Sequence, residues 1–409
     1  MGMIKKIWHS VTVERIKSRV KKALMFIVNK TIGVRNKAVF RSFSGSHYSD
    51  NPRAISEMMH AIDPTVEIVW MMNDGVDEKL PAYVRRASNS TPFIIWEYAT
   101  ASYWIDNFEL QDCYYKARNQ RYVQTWHGDR SFKRVICQSS YLNFNSRRLI
   151  ENQVCDLCLA GSAFGLETYR TAFKYYGPVL MTGTPRCDRL INAPERATDG
   201  AKVHIGLDPH FRYVLYAPTF RDSDGFESNE SCSIFDADSV VECLEGITGE
   251  AWKCLLRAHP SIKGQFDGES SALNVSAVPD MMDVLEASDI LISDYSSSVG
   301  DFCLTGRPVL LYQYDIEDYT AASRELRFDM NKSPYSIART HSELLDLLKE
   351  ITLDPDGARN NCNAILDFYE SSETGQSALD VCRFLLDGEL DKSNCSIGAQ
   401  VDVWSPSNL

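Results

Sequence analysis

The chain has 409 residues, of which 44% are hydrophobic and 24% charged, a composition typical of globular proteins with two or three domains. No window contains the roughly 18 consecutive apolar residues that a membrane-spanning helix needs, and no apolar signal segment opens the chain. The net charge of −12 is uneven, because residues 1–37 carry +9 and the rest of the chain carries −21. Such an acidic body repels nucleic acid, so we expect no nucleic-acid partner.

The basic leader, residues 1–37, interleaves charged and apolar side chains. It contains ten Lys or Arg residues and one acid, Glu14, among apolar residues such as Ile7, Trp8 and Val20. This mixture predicts an amphipathic helix that lies on an anionic bilayer surface. The alternative is a basic helix that docks on the protein's own acidic surface.

The twelve cysteines are scattered without paired spacing, which indicates reduced thiols in a cytoplasmic protein. Cys155 and Cys158 have the spacing of half a zinc site. However, no second pair of cysteines or histidines follows, and the segment has the apolar pattern of a strand. A buried strand is therefore favoured over a metal site.

From residue 38 onward, short apolar runs alternate with helical patterns. In residues 38–200 the predicted strands are 39–43, 67–72, 102–105, 121–126, 157–160 and 179–181, and Asn51-Pro52 predicts a helix N-cap followed by the first helical residue. A polar, aperiodic stretch at 193–209 indicates a domain boundary. In residues 201–390 the predicted strands are 213–216, 252–256, 275–278, 290–293 and 309–312, and helices are predicted from the capping box at Thr340 and over 377–386. Residues 391–409 are predicted to form a loose tail.

Two consecutive strand–helix series predict an α/β protein whose two parallel-sheet domains face each other across a cleft. Ligands bind beyond the carboxyl ends of parallel strands, so the residues that follow the strands are candidate site residues. His127 and His259 follow one strand in each domain, a layout that suits proton transfer and anion binding, although a single such histidine is more often structural. The other candidates after strands are Asn107, Gly128, Arg186, Thr219, Arg221 and Asp294.

A loop of three consecutive serines, Ser296, Ser297 and Ser298, lies between the strand 290–293 and a short predicted helix over 299–304. Backbone N–H groups at a helix start, the helix dipole and hydroxyl donors together suit a phosphate. The alternative is that these serines only cap the helix. Arg221 and Arg324 are further candidates for phosphate contact, although most arginines lie on solvated faces.

A set of motifs occurs along the chain in the order found in one family. They are Ser42-Phe43-Ser44-Gly45 with Tyr48-Ser49-Asp50-Asn51-Pro52, Gln124-Thr125-Trp126-His127-Gly128, Gly183-Thr184-Pro185-Arg186-Cys187-Asp188, Leu215-Tyr216-Ala217-Pro218-Thr219-Phe220-Arg221-Asp222, Arg257-Ala258-His259-Pro260, residues 289–301, and Tyr314-Asp315 with Tyr319 and Arg324. Over about residues 38–386 the chain resembles the CDP-glycerol glycerophosphotransferase family, the teichoic-acid primases and polymerases.

The resemblance implies a GT-B fold of two Rossmann-like domains, peripheral on the cytoplasmic face of the cell membrane. It also implies transfer of an alditol phosphate from CDP-glycerol or CDP-ribitol to a lipid-linked acceptor, with release of CMP. By position, His127 resembles the family's base, and His259 with Ser296 and Ser297 resembles its donor pyrophosphate site. We assign the remaining candidates to the donor phosphates (Ser298, Arg221, Thr219, Arg324) and to the rest of the cleft (Gly128, Asn107, Arg186, Asp294, Asp301).

The chain departs from the family pattern in two places. Asp129-Arg130-Ser131-Phe132 stands where Thr-Pro-Leu-Lys is usual, and Ser298-Val299-Gly300 stands where an apolar pair and an aromatic residue are usual.

Other interpretations stay open at the level of sequence. No Asp-x-Asp pair or carboxylate cluster resembles a metal site, so we expect no metal, and no cofactor beside the donor substrate. A GT-B glycosyltransferase with a nucleotide-sugar donor has the same fold and anion loop. A catalytically silent, membrane-bound scaffold is a third interpretation, which the presence of both histidines disfavours. If His127 is the base, we expect it to ionise near its unperturbed pKa of about 6.5.

Overall fold

The computed structural model describes residues 2–108, 114–135, 138, 154–219, 235–258, 272–322 and 325–397, with the backbone alone described for residues 2–15 and 321–322. Three predicted site residues, Arg221, His259 and Arg324, lie outside the described residues.

The strands are short, mostly apolar runs. In chain order they are β1 Arg35–Arg41, β2 Glu67–Met72, β3 Val84–Ser88, β4 Ala101–Asp106, β5 Arg121–Gln124, β6 Leu157–Leu159, β7 Val179–Leu180, β8 Arg212–Ala217, β9 Trp252–Leu256, β10 Leu273–Asn274, β11 Ile290–Ser293, β12 Val309–Tyr312, β13 Ile337–Ala338 and β14 Cys395–Ser396. The predicted strands 67–72, 252–256, 290–293 and 309–312 are confirmed with the same bounds. Strands such as β11 and β12 are buried throughout, because helices cover both faces of a parallel sheet.

The helices lie between these strands. They are α1 Gly2–Ile32, α2 Asp50–Ile62, α3 Thr91–Thr100, α4 Ala163–Thr171, α5 Asp188–Ile191, α6 Asp199–His204, α7 Ala237–Thr248, α8 Met281–Glu286, α9 Ser298–Phe302, α10 Ile316–Ala322, α11 His341–Leu353, α12 Pro355–Phe368 and α13 Ser377–Asp387. The capping box predicted at Thr340 is confirmed: the Thr340 hydroxyl and the Glu343 side chain each accept from the other residue's backbone N–H.

Two sheets organise the described chain. Their strand orders are β14-β7-β6-β5-β4-β1-β2-β3 and β10-β9-β8-β11-β12-β13. Neighbouring strands are parallel except for β14, which runs antiparallel to β7. In each sheet the order reverses beside the first strand, between β1 and β4 and between β8 and β11. These are the switch points at which open parallel sheets bind ligands, and the predicted α/β fold of two parallel-sheet domains is confirmed.

The C-terminal end of the chain returns to the first domain, which differs from the predicted division at residues 201–390 and 391–409. Helix α13 packs Val381 and Leu385 into the core beneath Phe40 and Ile55, and β14 joins the edge of the first sheet. Asp188 of the first domain caps α13, because its carboxylate accepts from the backbone N–H groups of residues 377 and 378 at 3.0 and 2.8 Å. The apolar face of α13 therefore has its partner in the first domain rather than in the second.

Helix α1 docks on α3 through its C-terminal half. Met25 is buried, and the Asn29 side chain donates to the Ala99 carbonyl at 2.8 Å. The predicted leader boundary at residue 37 falls inside β1, and Lys37 is buried in an ion pair with Glu97 at 2.6 Å. Among the described helices, none combines the length and the hydropathy needed to cross a membrane.

One predicted strand, 275–278, is replaced by β10 two residues earlier. The N–H of Val275 still pairs with the Leu256 carbonyl at 2.9 Å, but Val278 then donates to the Val275 carbonyl at 3.1 Å. A turn therefore forms where the apolar residues predicted a strand.

Candidate active site

The carboxyl ends of the two sheets face a shared cleft with a volume of about 290 Å³. Its walls come from the segments after β1, β5, β7, β8, β9 and β11 and from the start of α8. Each switch point contributes at least one of these segments. The lining residues include Phe43, Asp50, His127, Arg186, Thr219, Arg257, Ser296, Ser297, Ser298 and Asp301. The structure thus brings His127, Arg186, Thr219, the three serines and Asp301 together as predicted lining residues of one cleft.

His127 is oriented by a backbone carbonyl. Its Nδ1 lies 2.8 Å from the carbonyl oxygen of Asn107, which can only accept, so Nδ1 carries the proton. Nε2 is then the nitrogen with the free lone pair. Burial lowers the pKa of His127 below its ordinary value, with Arg186 adding to the effect, while the Asn107 carbonyl and Asp50 oppose it. The expected ionisation at the unperturbed value is therefore corrected downward, and the ring is neutral at neutral pH.

Aromatic rings surround the imidazole of His127. Phe43, Phe108 and Trp126 have ring centroids 5.2, 5.7 and 4.2 Å from it. Phe43 and Trp126 also have positive φ angles of 43° and 53°. Bulky residues rarely adopt this conformation, which costs roughly 1–3 kcal/mol and is found mainly at functional sites.

The side chain of Asn51 holds two cleft loops together. It is fully buried, its Nδ2 donates to the Trp126 carbonyl at 3.0 Å, and its Oδ1 accepts from the backbone N–H of Arg186 at 3.0 Å. The predicted N-cap at Asn51 is wrong, because α2 begins at Asp50 with Ser49 as its N-cap residue. Asn51 instead fixes the backbone on which His127 and Arg186 are carried.

Asn107 acts from beneath the cleft rather than in its wall. Its Oδ1 accepts from the Phe43 N–H at 2.8 Å, and its Nδ2 donates to the Ser42 hydroxyl at 3.2 Å. Because its own carbonyl also holds His127, Asn107 ties the loops after β1, β4 and β5 into one unit. Gly128 lies beside His127 in a separate crevice of about 10 Å³.

The serine loop presents hydroxyl groups to the cleft. Ser296 and Ser298 share a hydrogen bond between their hydroxyls at 2.8 Å, and Ser297, which precedes α9, makes no side-chain capping bond to it. The Ser296 hydroxyl also accepts from the Ser298 N–H at the start of α9, at 3.3 Å, so the capping alternative holds in part for Ser296 but not for Ser297. All three serines line the cleft.

Asp294 is a structural support of the serine loop. It is buried, and its two carboxylate oxygens accept from the N–H of Thr219 at 2.9 and 3.0 Å. The loops after β8 and β11, which flank the second switch point, are held together in this way. Asp294, which was predicted as a cleft residue, is not among the residues that line the cleft, and its carboxylate also accepts from the N–H of Tyr295.

Asp301 joins the two domains through two buried arginines. Its Oδ1 accepts from Arg130 at 2.9 Å, and its Oδ2 accepts from Nε and Nη2 of Arg186 at 3.1 and 3.0 Å. Burial opposes the charge on Arg186, but Asp301 and Asp50 outweigh it and hold the pKa of the guanidinium above its ordinary value. Arg130 also pairs with Glu373, whose carboxylate accepts from the N–H of Thr184 at 3.0 Å. Arg186 and Asp301 are therefore cleft residues with a shared structural task.

Arg257, which was predicted only as part of the motif Arg257-Ala258-His259-Pro260 after a strand, is a cationic residue of the cleft wall. Its Nη1 donates to the carbonyls of Val278 and Val275 at 2.8 and 3.3 Å. Burial lowers the pKa of Arg257, with Asp280 and Asp283 opposing, yet an arginine stays charged at neutral pH. The position of Arg257 directly after a predicted strand indicates a cleft residue, but only His259 of that motif was given a role.

Sequence reasoning also missed the buried polar residues that support the cleft. Asp50 was treated only as part of a motif, and Arg130 and Glu373 lie far apart in the chain.

In the described part of the chain, no group of three or more His, Cys, Asp or Glu side chains has a metal-binding arrangement.

Three comparisons with known proteins agree on one family. The sequence model of the family described as CDP-Glycerol:Poly(glycerophosphate) glycerophosphotransferase matches residues 24–387. The teichoic acid poly(glycerol phosphate) polymerase of Bacillus subtilis is 30% identical over 348 residues, which are 81% of this chain and 46% of the relative. The chain thus spans about half the length of that polymerase, and 47% of its Staphylococcus epidermidis counterpart.

Other relatives are similar along nearly their whole length. The teichoic acid glycerol-phosphate transferase of Staphylococcus aureus is 27% identical over 395 residues, 90% of this chain and 99% of the relative. A solved structure of the wall teichoic acid polymerase TagF aligns with a TM-score of 0.76 and 25% identity, covering 94% of this chain and 97% of that one. A TagF variant soaked with CDPG aligns with a TM-score of 0.75.

Proposed function

The chain belongs to the CDP-glycerol:poly(glycerophosphate) glycerophosphotransferase family, and from this premise we propose that it transfers glycerol phosphate from CDP-glycerol to a hydroxyl of a lipid-linked or polymeric acceptor. CMP is the second product, and the acceptor belongs to teichoic-acid-like or capsular surface-polymer synthesis. One observation carries the proposal most directly. His127 has its Nδ1 proton held at 2.8 Å by the Asn107 carbonyl, so Nε2 is free to accept a proton in the cleft.

In the proposed reaction, the acceptor oxygen attacks the phosphorus atom that bears glycerol. A new P–O bond forms, the bond from that phosphorus to the bridging oxygen breaks, and CMP leaves with the bonding electrons. The proton of the attacking hydroxyl passes to Nε2 of His127. The lowered pKa of His127 supports this role, because a base must be neutral before the reaction.

The second domain supplies the groups that would bind the donor phosphates. Ser296, Ser297 and Ser298 offer hydroxyl donors, and Arg257 offers a cation in the same cleft. Donors that are fixed before the reaction stabilise the charge that develops on phosphate oxygens without reorganisation. Thr219 belongs to this wall, while His259, Arg221 and Arg324 remain predicted contributors outside the described residues.

We propose that the reaction uses no metal ion and no cofactor beside the donor. The positive charge and hydroxyl donors named above perform the charge stabilisation that a metal gives in many phosphoryl transfers.

We also propose that α1 attaches the protein to the cytoplasmic face of the membrane. Ile16, Val20, Leu24 and Ile27 form one stripe along α1 and are each 43–56% exposed. Their spacing of four, four and three residues places them on one helix face. The opposite face carries Met25 and Asn29, which dock on α3.

An apolar stripe with basic neighbours suits the interface of an anionic bilayer. The full chain is expected to sediment with phosphatidylglycerol-containing vesicles, less so as the salt concentration rises. A chain with Val20 and Leu24 changed to Glu is expected to stay in the supernatant. Equal sedimentation of the two proteins would contradict the membrane proposal.

The enzymatic proposal is tested by single-turnover assays of the purified 409-residue chain with CDP-glycerol and a lipid acceptor that ends in glycerol phosphate. His127→Ala is expected to lower the rate by roughly 10²–10⁴-fold, with CDP-glycerol affinity nearly unchanged. His210→Ala is the matched control, because His210 is exposed and outside the cleft. A His127→Ala rate close to that of the control would refute the assignment of the base.

A further inference from the structure

Asp50 presents to the cleft a carboxylate that the proposed transfer does not use. Asp50 lines the cleft together with His127 and Arg186, and its side chain is 12% exposed. Among the described contacts of this carboxylate, Oδ1 accepts from the backbone N–H of Asn51 at 2.7 Å and Oδ2 lies 3.5 Å from Arg186 Nη1. An ionised carboxylate has about four acceptor positions, so these contacts leave acceptor capacity on the cleft side.

Arg186 does not need Asp50 as its ion-pair partner. Asp301 already accepts from two nitrogens of Arg186 at 3.1 and 3.0 Å, both shorter than the contact with Asp50. A buried charge is compensated by a close, hydrogen-bonded partner, and Asp301 is that partner. Asp50 therefore adds to the compensation of Arg186 only at longer range, and the acceptor positions that face the cleft are not taken up by Arg186.

The backbone holds Asp50 in a fixed direction. Its φ is +64°, in the left-handed region that non-glycine residues seldom adopt. Its N–H donates to Oδ2 of Asp280 in the second domain at 3.3 Å, which ties the position of Asp50 to that domain. The carboxylate is thus preorganised rather than free to turn into solvent.

We propose that Asp50 binds the secondary hydroxyl of a glycerol unit in the cleft, accepting a hydrogen bond through Oδ2. The inference rests on the proposed function, which places glycerol units on both substrates. A carboxylate is a strong acceptor for an alditol hydroxyl, and it repels the phosphates, which leaves them to the serine loop and Arg257. Asp50 would then select for substrates that carry this secondary hydroxyl, either on the donor glycerol or on the glycerol unit at the end of the acceptor.

The test pairs Asp50→Asn with substrates that lack the secondary hydroxyl. Asparagine tolerates the left-handed conformation and keeps the size of the side chain, and Asp50→Gly is a second variant that adopts positive φ freely. CDP-glycerol is compared with CDP-3-hydroxypropanol, and an acceptor ending in glycerol phosphate with one ending in 3-hydroxypropyl phosphate. The control variant, Asp77→Asn, removes an exposed carboxylate of the same domain.

In the wild type, loss of the relevant hydroxyl is expected to lower kcat/KM at least about 10-fold, because a hydrogen bond to a charged group is lost. In Asp50→Asn and Asp50→Gly the ratio of kcat/KM with and without the hydroxyl is expected to fall to nearly one, while Asp77→Asn keeps the wild-type ratio. A ratio that falls for the two donors assigns Asp50 to the donor glycerol. A ratio that falls for the two acceptors assigns it to the acceptor.

Discrimination that persists in both Asp50 variants, or is absent from the wild type, overturns the inference while transfer itself still supports the proposed function. A wild type that transfers nothing from any donor refutes the proposed function, and the inference with it. If Asp50 had only a structural role, its variants would have a lower melting temperature and lower kcat/KM for both donors and both acceptors, without a change in the ratios between them.

Discussion

Replacing Asn51 with Ala should separate the positioning of His127 from donor binding. The substitution leaves the buried N–H of Arg186 without its partner at 3.0 Å, and it leaves the Trp126 carbonyl with only the Thr125 hydroxyl, which donates to it at 3.0 Å. The unpaired N–H costs roughly 1–3 kcal/mol, and Trp126, which has lost one of the two bonds that hold its carbonyl, can relax out of its strained conformation at φ 53°. Since His127 directly follows Trp126, that relaxation would displace the base. A displacement of about 1 Å can lower a reaction rate about 100-fold.

The assay measures the single-turnover rate and the CDP-glycerol Kd for Asn51→Ala and for a control, Asn36→Ala. Asn36 is exposed and bonds only the exposed Thr65 hydroxyl, at 3.2 Å, among its described side-chain contacts. Asn51→Ala is expected to lose about 100-fold in rate with little change in Kd, because the serine loop and Arg257 belong to the other domain. Asn51→Asp keeps the acceptor toward Arg186 but not the donor toward Trp126, and should show most of the same loss. An Asn51→Ala rate within a few-fold of the control would refute the idea that this amide positions the base.

Four further predictions follow from the cleft. Asp301→Asn should lower the free energy of unfolding by roughly 3–5 kcal/mol, because it removes the shared partner of two buried arginines, and chemical denaturation would show this. The rate should rise with pH through an apparent pKa below about 6.5 and then level off, since burial lowers the pKa of His127 and only the neutral ring accepts a proton; a midpoint above that value would contradict the assignment. Ser297→Ala should weaken CDP-glycerol binding by about 1–3 kcal/mol with little change in melting temperature, as titration with CDP-glycerol would show. Saturating EDTA should leave turnover unchanged, and a loss of turnover that Mg²⁺ restores would refute the metal-free proposal.

The fold was predictable from sequence because its determinants are local. Strands such as Ile290–Ser293 and Val309–Tyr312 are continuous apolar runs, and the carboxyl end of each is marked by polar residues. Strand β3, Val84–Ser88, was missed because it lies at the edge of the first sheet and its central residues, Arg85 and Arg86, are exposed. The return of α13 to the first domain was also missed, since its contacts with Phe40 and Ile55 join residues more than 300 positions apart.

The residues that line the candidate site were predictable from sequence, but the buried residues that hold them in place were not. His127, Arg186 and the serines follow strands, so the topology alone brings them to one cleft. Arg130 and Gly300 illustrate what sequence patterns leave out, because they lie in the two segments that depart from the family pattern and yet contact each other. A Cβ atom at Gly300 would come within 2.7 Å of Arg130 Cδ, so the glycine makes room for the arginine that binds Asp301. The two departures therefore belong to one packing arrangement.

Mass spectrometry of the products that the purified 409-residue chain forms with a lipid-linked acceptor decides between glycerol phosphate transfer and sugar transfer. CDP-glycerol, CDP-ribitol and a panel of nucleotide sugars are offered in separate reactions. We expect CMP release from CDP-glycerol and an acceptor whose mass increases by one or more glycerol phosphate units. An acceptor that gains a sugar from a nucleotide-sugar donor, or no product with either CDP-alditol, would contradict it.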